Sequence, residues 1–324
     1  MPASFFMFDS SFIYFNKRRT AKLIDGLDRR NMTHEHKQTT SLSFEFFPPH
    51  NAEASARLWR SVERLAPLGP KFVSVTYGAG GTTRERTLSA IKTIQERARL
   101  NVAGHLTVVG ASKAETLEVA RGYAALGVRR IVALRGDAPK GRDQFTAHPD
   151  GFNNAAELVA GLKEVGGFDV SVAAYPEKHP DSADMKADID NLKRKIDSGA
   201  SSAITQFFFD NQDFLRFRDA AADAGISAPI IPGILPVENF TKMLRFADMC
   251  QAKVPDWMHQ AFRNAGDDSE VLATALCAEQ CDELQSEGVD HLHFYTLNNP
   301  DLVYNICRAL GFEAVGVDLA SSVA

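Results

Sequence analysis

The string Ser43-Phe44-Glu45-Phe46-Phe47-Pro48-Pro49 sets one acid among three phenylalanines, a few residues before a proline break. A carboxylate in apolar surroundings is paired, protonated or at work. Desolvation by the phenylalanines would raise its pKa toward the range in which a general acid operates, so Glu45 is the first catalytic candidate. Other polar residues recur where β-rich runs end: Thr76 and Tyr77 followed by Gly78-Ala79-Gly80-Gly81, His105 and Thr107, Arg135-Gly136-Asp137, and Tyr175, Glu177 and His179. Gln206 and Asp210, Pro236 and Glu238, and Tyr295, Thr296 and Asn298 complete the set.

Each has a plainer reading. The four residues Gly78 to Gly81 follow a strand and precede a helix, but their spacing is not Gly-x-Gly-x-x-Gly, so a tight turn that lets backbone approach a ligand is favoured over a dinucleotide loop. Arg135 and Asp137 suit a local ion pair at a strand end, and equally the polar edge of a planar ring. His105 and His179 could be satisfied structural histidines. His291-x-His293 has the look of a metal dyad, yet no carboxylate follows it on the strand, and we discount it.

The elements that must carry these residues alternate. Strand-like runs occur at 42–47, 72–77, 102–109, 130–134, 170–175, 203–209, 230–235 and 291–297, most of them continuously apolar as strands buried on both faces are. Between them lie helical spacings such as Leu58, Val62 and Leu65, or Ile189, Leu192 and Ile196. Strand and helix alternating eight times without a composition break predict an α/β fold, a (β/α)8 TIM barrel, with extra helices in the long interval between strands 7 and 8. Catalytic residues of such barrels stand at the C-terminal ends of the strands, where the polar list above falls. The predicted organisation is an N-terminal extension over 1–40, poorly ordered; a barrel over 41–315; and a tail over 316–324. The aromatic stretch from Phe5 to Phe15 is followed, not preceded, by Lys17, Arg18 and Arg19, the wrong order for a secretory signal.

The chain has 324 residues and a net charge of −5 with both signs interspersed, which gives no basic stripe for nucleic acid. No apolar run approaches a membrane span, so the expectation is a soluble protein with a small-molecule partner. The four cysteines, Cys250, Cys277, Cys281 and Cys307, form no Cys-x-x-Cys pair and read as reduced core residues of a cytoplasmic protein. Cys277 and Cys281 would share a helix face, but no histidine joins them there for a metal.

The strings SFEFFPP, VTYGAGGTTRERT, ALRGD, SVAAYPEKHP, NLKRK, ITQFFFD, IIPGILPV and HFYTLN follow one another in this order. Together they make the chain, from about Leu42 to about Gly311, resemble the bacterial methylenetetrahydrofolate reductases. The resemblance implies a (β/α)8 flavoprotein that binds FAD noncovalently. It would reduce 5,10-methylenetetrahydrofolate to 5-methyltetrahydrofolate with NADH or NADPH as donor in a ping-pong cycle, supplying methyl groups for methionine synthesis. It also implies a homo-oligomer. Eukaryotic relatives add a C-terminal regulatory domain, and this chain stops soon after its eighth strand and helix.

Roles carried over on matching positions make Glu45 the general acid that helps open the imidazolidine ring. Asp137 becomes the acid beside flavin and pterin. Thr76, His105, Arg135, Gly136, Asp137, Tyr175, His179, Asp188, Asn191 and Lys195 are implied to contact FAD. Gln206 is implied to hydrogen-bond the pterin, with Phe246 and Tyr295 lining the face shared by folate and nicotinamide. Two positions depart: where some relatives carry Arg and Gln, both implied to hold the folate tail, this chain has Asn299 and Lys242. The residues alone leave room for other readings, a proline dehydrogenase-like flavin barrel or a metal-dependent hydrolase using His105, His179 and Asp137.

Overall fold

The computed structural model describes residues 40–77, 84–137 and 145–315. The N-terminal extension to residue 39, the Gly78 to Gly81 turn and the tail from residue 316 lie outside the described residues.

Nine parallel strands run β1 (Ser41–Phe46), β2 (Phe72–Val75), β3 (Val102–Thr107), β4 (Arg130–Leu134), β5 (Asp169–Ala174), β6 (Ser202–Thr205), β7 (Ile230–Ile231), β8 (Gly233–Ile234) and β9 (His291–Tyr295). In space the order is β7-β6-β5-β4-β3-β2-β1-β9-β8. β7 and β8 are two halves of one predicted strand, broken where Pro232 has no N–H to give a ladder. One half pairs with β6 and the other with β9, so the broken strand closes the barrel. Across the break the His293 N–H donates to Pro232 O, and the Gly233 N–H to the Thr205 hydroxyl. The expected (β/α)8 architecture is observed.

Several predicted strands overran their C-terminal ends. The run expected at 203–209 leaves the sheet after Thr205, because Phe207 and Phe208 are fully buried outside the ladder. An apolar string cannot tell a strand from a buried loop.

Ten helices lie among the described residues: α1 (Ala52–Leu65), α2 (Arg84–Ala98), α3 (Lys113–Ala125), α4 (Ala155–Val165), α5 (Met185–Asp197), α6 (Asn211–Asp223), α7 (Phe240–Cys250), α8 (Asp256–Ala265), α9 (Ser269–Ser286) and α10 (Pro300–Ala309). Six begin at a side chain that accepts from an otherwise orphaned N–H: Asn51, Ser112, Asn154, Asp184, Asp210 and Asn239. Asp210, noted above among the polar strand-end residues, is spent on this structural task. The excursion before β9 holds α7, α8 and α9, as its length predicted.

The core has two shells. Leu42, Phe44 and Phe46 of β1 pack outward with Leu58, Val62 and Leu65 of α1 in the layer between sheet and helices. A small cluster of Phe72, Ala103, Val132, Ile204 and Ile231 fills part of the barrel interior. Strand alternation therefore turns Ser43 and Glu45 inward and the flanking phenylalanines outward. This corrects the expectation that Phe44 and Phe46 surround the Glu45 carboxyl. No helix among the described residues is long and apolar enough to cross a membrane. All four cysteines are free, three of them buried in the core and Cys250 half-buried.

Candidate active site

A cavity of ≈ 620 Å³ opens at the C-terminal ends of the strands, within the range of small-molecule sites. Thirteen of the fourteen predicted site residues line it: Glu45, Thr76, His105, Arg135, Gly136, Asp137, Tyr175, His179, Asn191, Lys195, Gln206, Phe246 and Tyr295. The fourteenth, Asp188, stands one step behind. Its carboxylate accepts from the His179 N–H at 2.9 Å and the Ser182 hydroxyl at 3.1 Å, and so fixes the loop that carries His179.

Glu45 comes from the interior face of β1, paired in register with Ser74 on one side and Tyr295 on the other. Its side chain is only 14 % exposed, and its Oε2 lies 3.3 Å from His105 Nε2 and 3.7 Å from His293 Nε2. Burial raises the Glu45 pKa, with His105 opposing, and burial lowers that of His105. Both shifts favour the neutral forms and so oppose an ion pair. The Glu45 backbone is clamped by Thr296, whose hydroxyl donates to Glu45 O at 2.6 Å. Asn298 locks the next turn, accepting from the Phe47 N–H and donating to Phe47 O.

One wall is cationic. Arg135 pairs with Asp181 at 2.8 Å and lies over the Phe145 ring, so the local pair with Asp137 considered above is not what holds it. Asp137 is exposed at the rim. Lys195 projects from α5, donates to Ala173 O at 2.5 Å, and is held down to about 8 by burial. Tyr175 meets His179 edge-on at 4.5 Å between ring centres. Between these groups Gly136 has φ +84°, and a Cβ there would come within 3.2 Å of Thr107. Thr107 Oγ1 and His105 Nε2 are buried without a hydrogen-bond partner among the described residues.

The opposite wall is aromatic. Phe246 of α7 stacks on Phe207 at 5.3 Å, and Tyr295 stands edge-on to Phe207 while its hydroxyl donates to Thr205 O at 2.6 Å. The Gln206 amide oxygen accepts from the Phe207 N–H, and the residue lines the cavity.

Sequence reasoning passed over Ser43, His291 and His293. The two histidines do share the interior face, as alternation requires, and the acid near them comes from the adjacent strand β1 and not from β9 itself. Matching the period-2 pattern Ser43-x-Glu45 to His291-x-His293-x-Tyr295 was the available signal. It became legible only with the β1–β9 register.

The family model for methylenetetrahydrofolate reductase matches residues 30–311. The 5,10-methylenetetrahydrofolate reductase of Pectobacterium carotovorum subsp. carotovorum is 50% identical over 274 residues, 84% of this chain and 90% of that protein. The protein of the same description from Escherichia coli (strain K12) is 49% identical over the same shares. Methylenetetrahydrofolate reductase (NADH) 1 of Arabidopsis thaliana is 33% identical over 84% of this chain, which spans 48% of the plant protein. Among solved structures, a Clostridium thermocellum protein that binds two copies of 5-methyl-5,6,7,8-tetrahydrofolic acid superposes with a TM-score of 0.55 at 15% identity, covering 85% of this chain and 96% of its own, a likeness of fold. By the extent of the family match and by identity to the bacterial proteins, the chain belongs to the methylenetetrahydrofolate reductase family.

Proposed function

We propose that the chain reduces 5,10-methylenetetrahydrofolate to 5-methyltetrahydrofolate in two half-reactions, with FAD held noncovalently in the barrel mouth and NADH or NADPH as donor. The observation that carries this reading is a buried carboxyl, Glu45, whose pKa desolvation raises, at the inner end of a cavity with one cationic and one aromatic wall. When bound, FAD would take hydride from the nicotinamide and give it to the folate, chemistry that no side chain supplies.

The residues present suit such a group. Arg135 and Lys195 offer the positive charge a diphosphate needs, and the Gly136 backbone, with no Cβ to fill the space before Thr107, admits a ring edge. The unpartnered Thr107 and His105 polar atoms are available to a ligand. Thr76, Tyr175, His179 and Asn191 line the same cavity, with Asp188 bracing His179.

On the open side, Phe246 and Tyr295 would present an apolar surface to a pterin or a nicotinamide in turn, and Gln206 would hydrogen-bond the pterin. Glu45 would donate its proton to a folate ring nitrogen. The imidazolidine C–N bond then breaks and leaves an electrophilic methylene-iminium carbon. Asp137, at the rim, would favour the cation that develops. General acid assistance of this kind is worth roughly 10²–10⁴-fold. Glu45 must regain one proton per turnover.

The test is an anaerobic visible spectrum of the purified protein, before and after NADH and again after methylenetetrahydrofolate. Flavin bands that bleach with the donor and return with the folate support the reading. Bands that bleach and never return remove the folate step, and a colourless protein that FAD cannot reconstitute removes the cofactor.

A further inference from the structure

Behind Glu45 the barrel interior holds a polar chain for which the proposed chemistry has no stated use. Ser43 Oγ lies 2.7 Å from His293 Nδ1 and 2.9 Å from His291 Nε2. The other nitrogen of His293 faces Glu45 Oε2 at 3.7 Å and has no hydrogen-bond partner among the described residues. Ser43 and His293 are fully buried, and His291, the first residue of β9, sits at the opposite end of the barrel from the cavity.

The geometry constrains the protons. A serine hydroxyl has one hydrogen, so it donates to one imidazole and must accept from the other. Both rings are neutral, since burial holds each near 3. Two arrangements satisfy both Ser43 contacts. In the first, Ser43 donates to His293 Nδ1, His293 carries its hydrogen on Nε2 pointing at Glu45, and His291 donates from Nε2. In the second, Ser43 donates to His291 Nε2, His293 donates from Nδ1, and a bare Nε2 lone pair faces Glu45. An N–H dipole toward Glu45 favours its carboxylate, and a lone pair favours its protonated carboxyl. At 3.7 Å the influence is electrostatic, in surroundings of low dielectric.

We propose that Ser43 and His291 are positioning residues for Glu45: the hydroxyl shared by the two imidazoles ties the tautomer of His293, which faces the carboxyl, to the tautomer of His291 at the barrel floor. The proposal rests on the reading of Glu45 as proton donor. The first arrangement with Glu45 ionised and the second with Glu45 protonated differ by one proton. That proton is gained at His291 Nδ1 and matched on Glu45, with Ser43 giving one and taking one between the rings, and the last transfer requires His293 Nε2 and Glu45 Oε2 to close from 3.7 Å to hydrogen-bond distance. The other groups that set the balance are His105 and Tyr295 beside Glu45, and Lys71 and Arg130 beside His291.

Removing a link has a direction. In Ser43→Ala neither ring nitrogen of His293 keeps a hydrogen-bond partner, and the choice falls to the field of Glu45: its carboxylate, 3.7 Å from Nε2, attracts the hydrogen there, and the resulting N–H dipole in turn favours the carboxylate. In His291→Phe, Ser43 can donate only to His293 Nδ1, with the same result. In His291→Gln, the amide can donate or accept, and both arrangements survive.

The test uses the FAD-loaded enzyme and stopped flow over a pH series. Re-oxidation of reduced flavin by methylenetetrahydrofolate should decline at lower pH in Ser43→Ala and His291→Phe than in the wild type, by about one pH unit, a tenfold loss of proton affinity. His291→Gln should restore the wild-type profile, and flavin reduction by NADH should be unchanged in all three. A second measurement needs no turnover: ¹⁵N NMR of histidine-labelled wild-type protein should show His291 and His293 exchanging their protonated nitrogens together, at the pH where Glu45 ionises. Tautomers fixed across that range, an unmoved pH midpoint, or equal losses in both half-reactions would overturn the proposal. Wild-type reduced flavin that folate fails to re-oxidise would instead sink the proposed function, and the NMR result would still judge the linkage.

Discussion

His105 Nε2 stands 3.3 Å from Glu45 Oε2, and burial pushes each of the two groups toward its uncharged form. Burial dominates both shifts, upward for the carboxyl and downward for the imidazole, and their mutual attraction only partly offsets it. An acid and a base both pushed toward their neutral forms hold a proton close to where a weakly basic nitrogen could receive it.

Glu45→Gln should therefore lower the folate half-reaction by roughly 10²–10⁴-fold while leaving flavin reduction by the donor largely intact. Stopped-flow traces of the two halves decide it, and equal loss in both would contradict the assignment.

The same residue predicts a stability effect. Its folded pKa lies above the unfolded value of 4.5, so its contribution is fully present below that value and is lost as pH rises through the folded pKa. Glu45→Gln should consequently gain thermal stability relative to wild type at pH 8 but not at pH 4. A Tm difference independent of pH would show that the carboxyl is not desolvated as described.

His293 runs the other way. Its folded pKa of about 3 lies below the unfolded 6.5, so stability is present above 6.5 and lost as pH falls toward 3. Urea unfolding of His293→Gln should show a shallower acid limb between pH 6 and pH 4 than the wild type, even if the variant is less stable at pH 8.

Lys195, at about 8, should couple cofactor binding to pH if it meets the FAD diphosphate. It is charged below that value, so FAD affinity should weaken as pH rises through it, read as the fluorescence-titrated Kd of the apoprotein. Lys195→Met should bind FAD weakly at every pH and lose the dependence; a retained dependence would place the titrating group elsewhere.

Barrel closure depends on Gly233. A Cβ there would lie within 2.6 Å of the Tyr295 ring and even nearer Thr205 O, a backbone atom that cannot swing away. Gly233→Ala should destabilise the protein by about 1–3 kcal/mol by overpacking and displace Tyr295 from the cavity wall. An unchanged denaturation midpoint would mean that the strand break yields freely.

The sequence by itself determined the alternation of strand and helix, the strand-end location of the polar residues, and, through its motifs, the family. These are local: apolar runs, caps such as Ser112 and Asn154, and strings such as ALRGD are written in consecutive residues. Tertiary structure decided what consecutive residues cannot express. Pro232 splits one strand and lets its halves close the barrel. Alternation sends Phe44 and Phe46 to the helices, so Glu45 is desolvated by the barrel interior and not by its neighbours in the chain. Arg135 finds Asp181 in place of Asp137, and His293 reaches Glu45 across 248 residues of sequence only because β9 lies beside β1. Side-chain periodicity fixes which face a residue takes within its strand, whereas the partner on that face is set by strand order and register, which depend on the closure of the whole sheet.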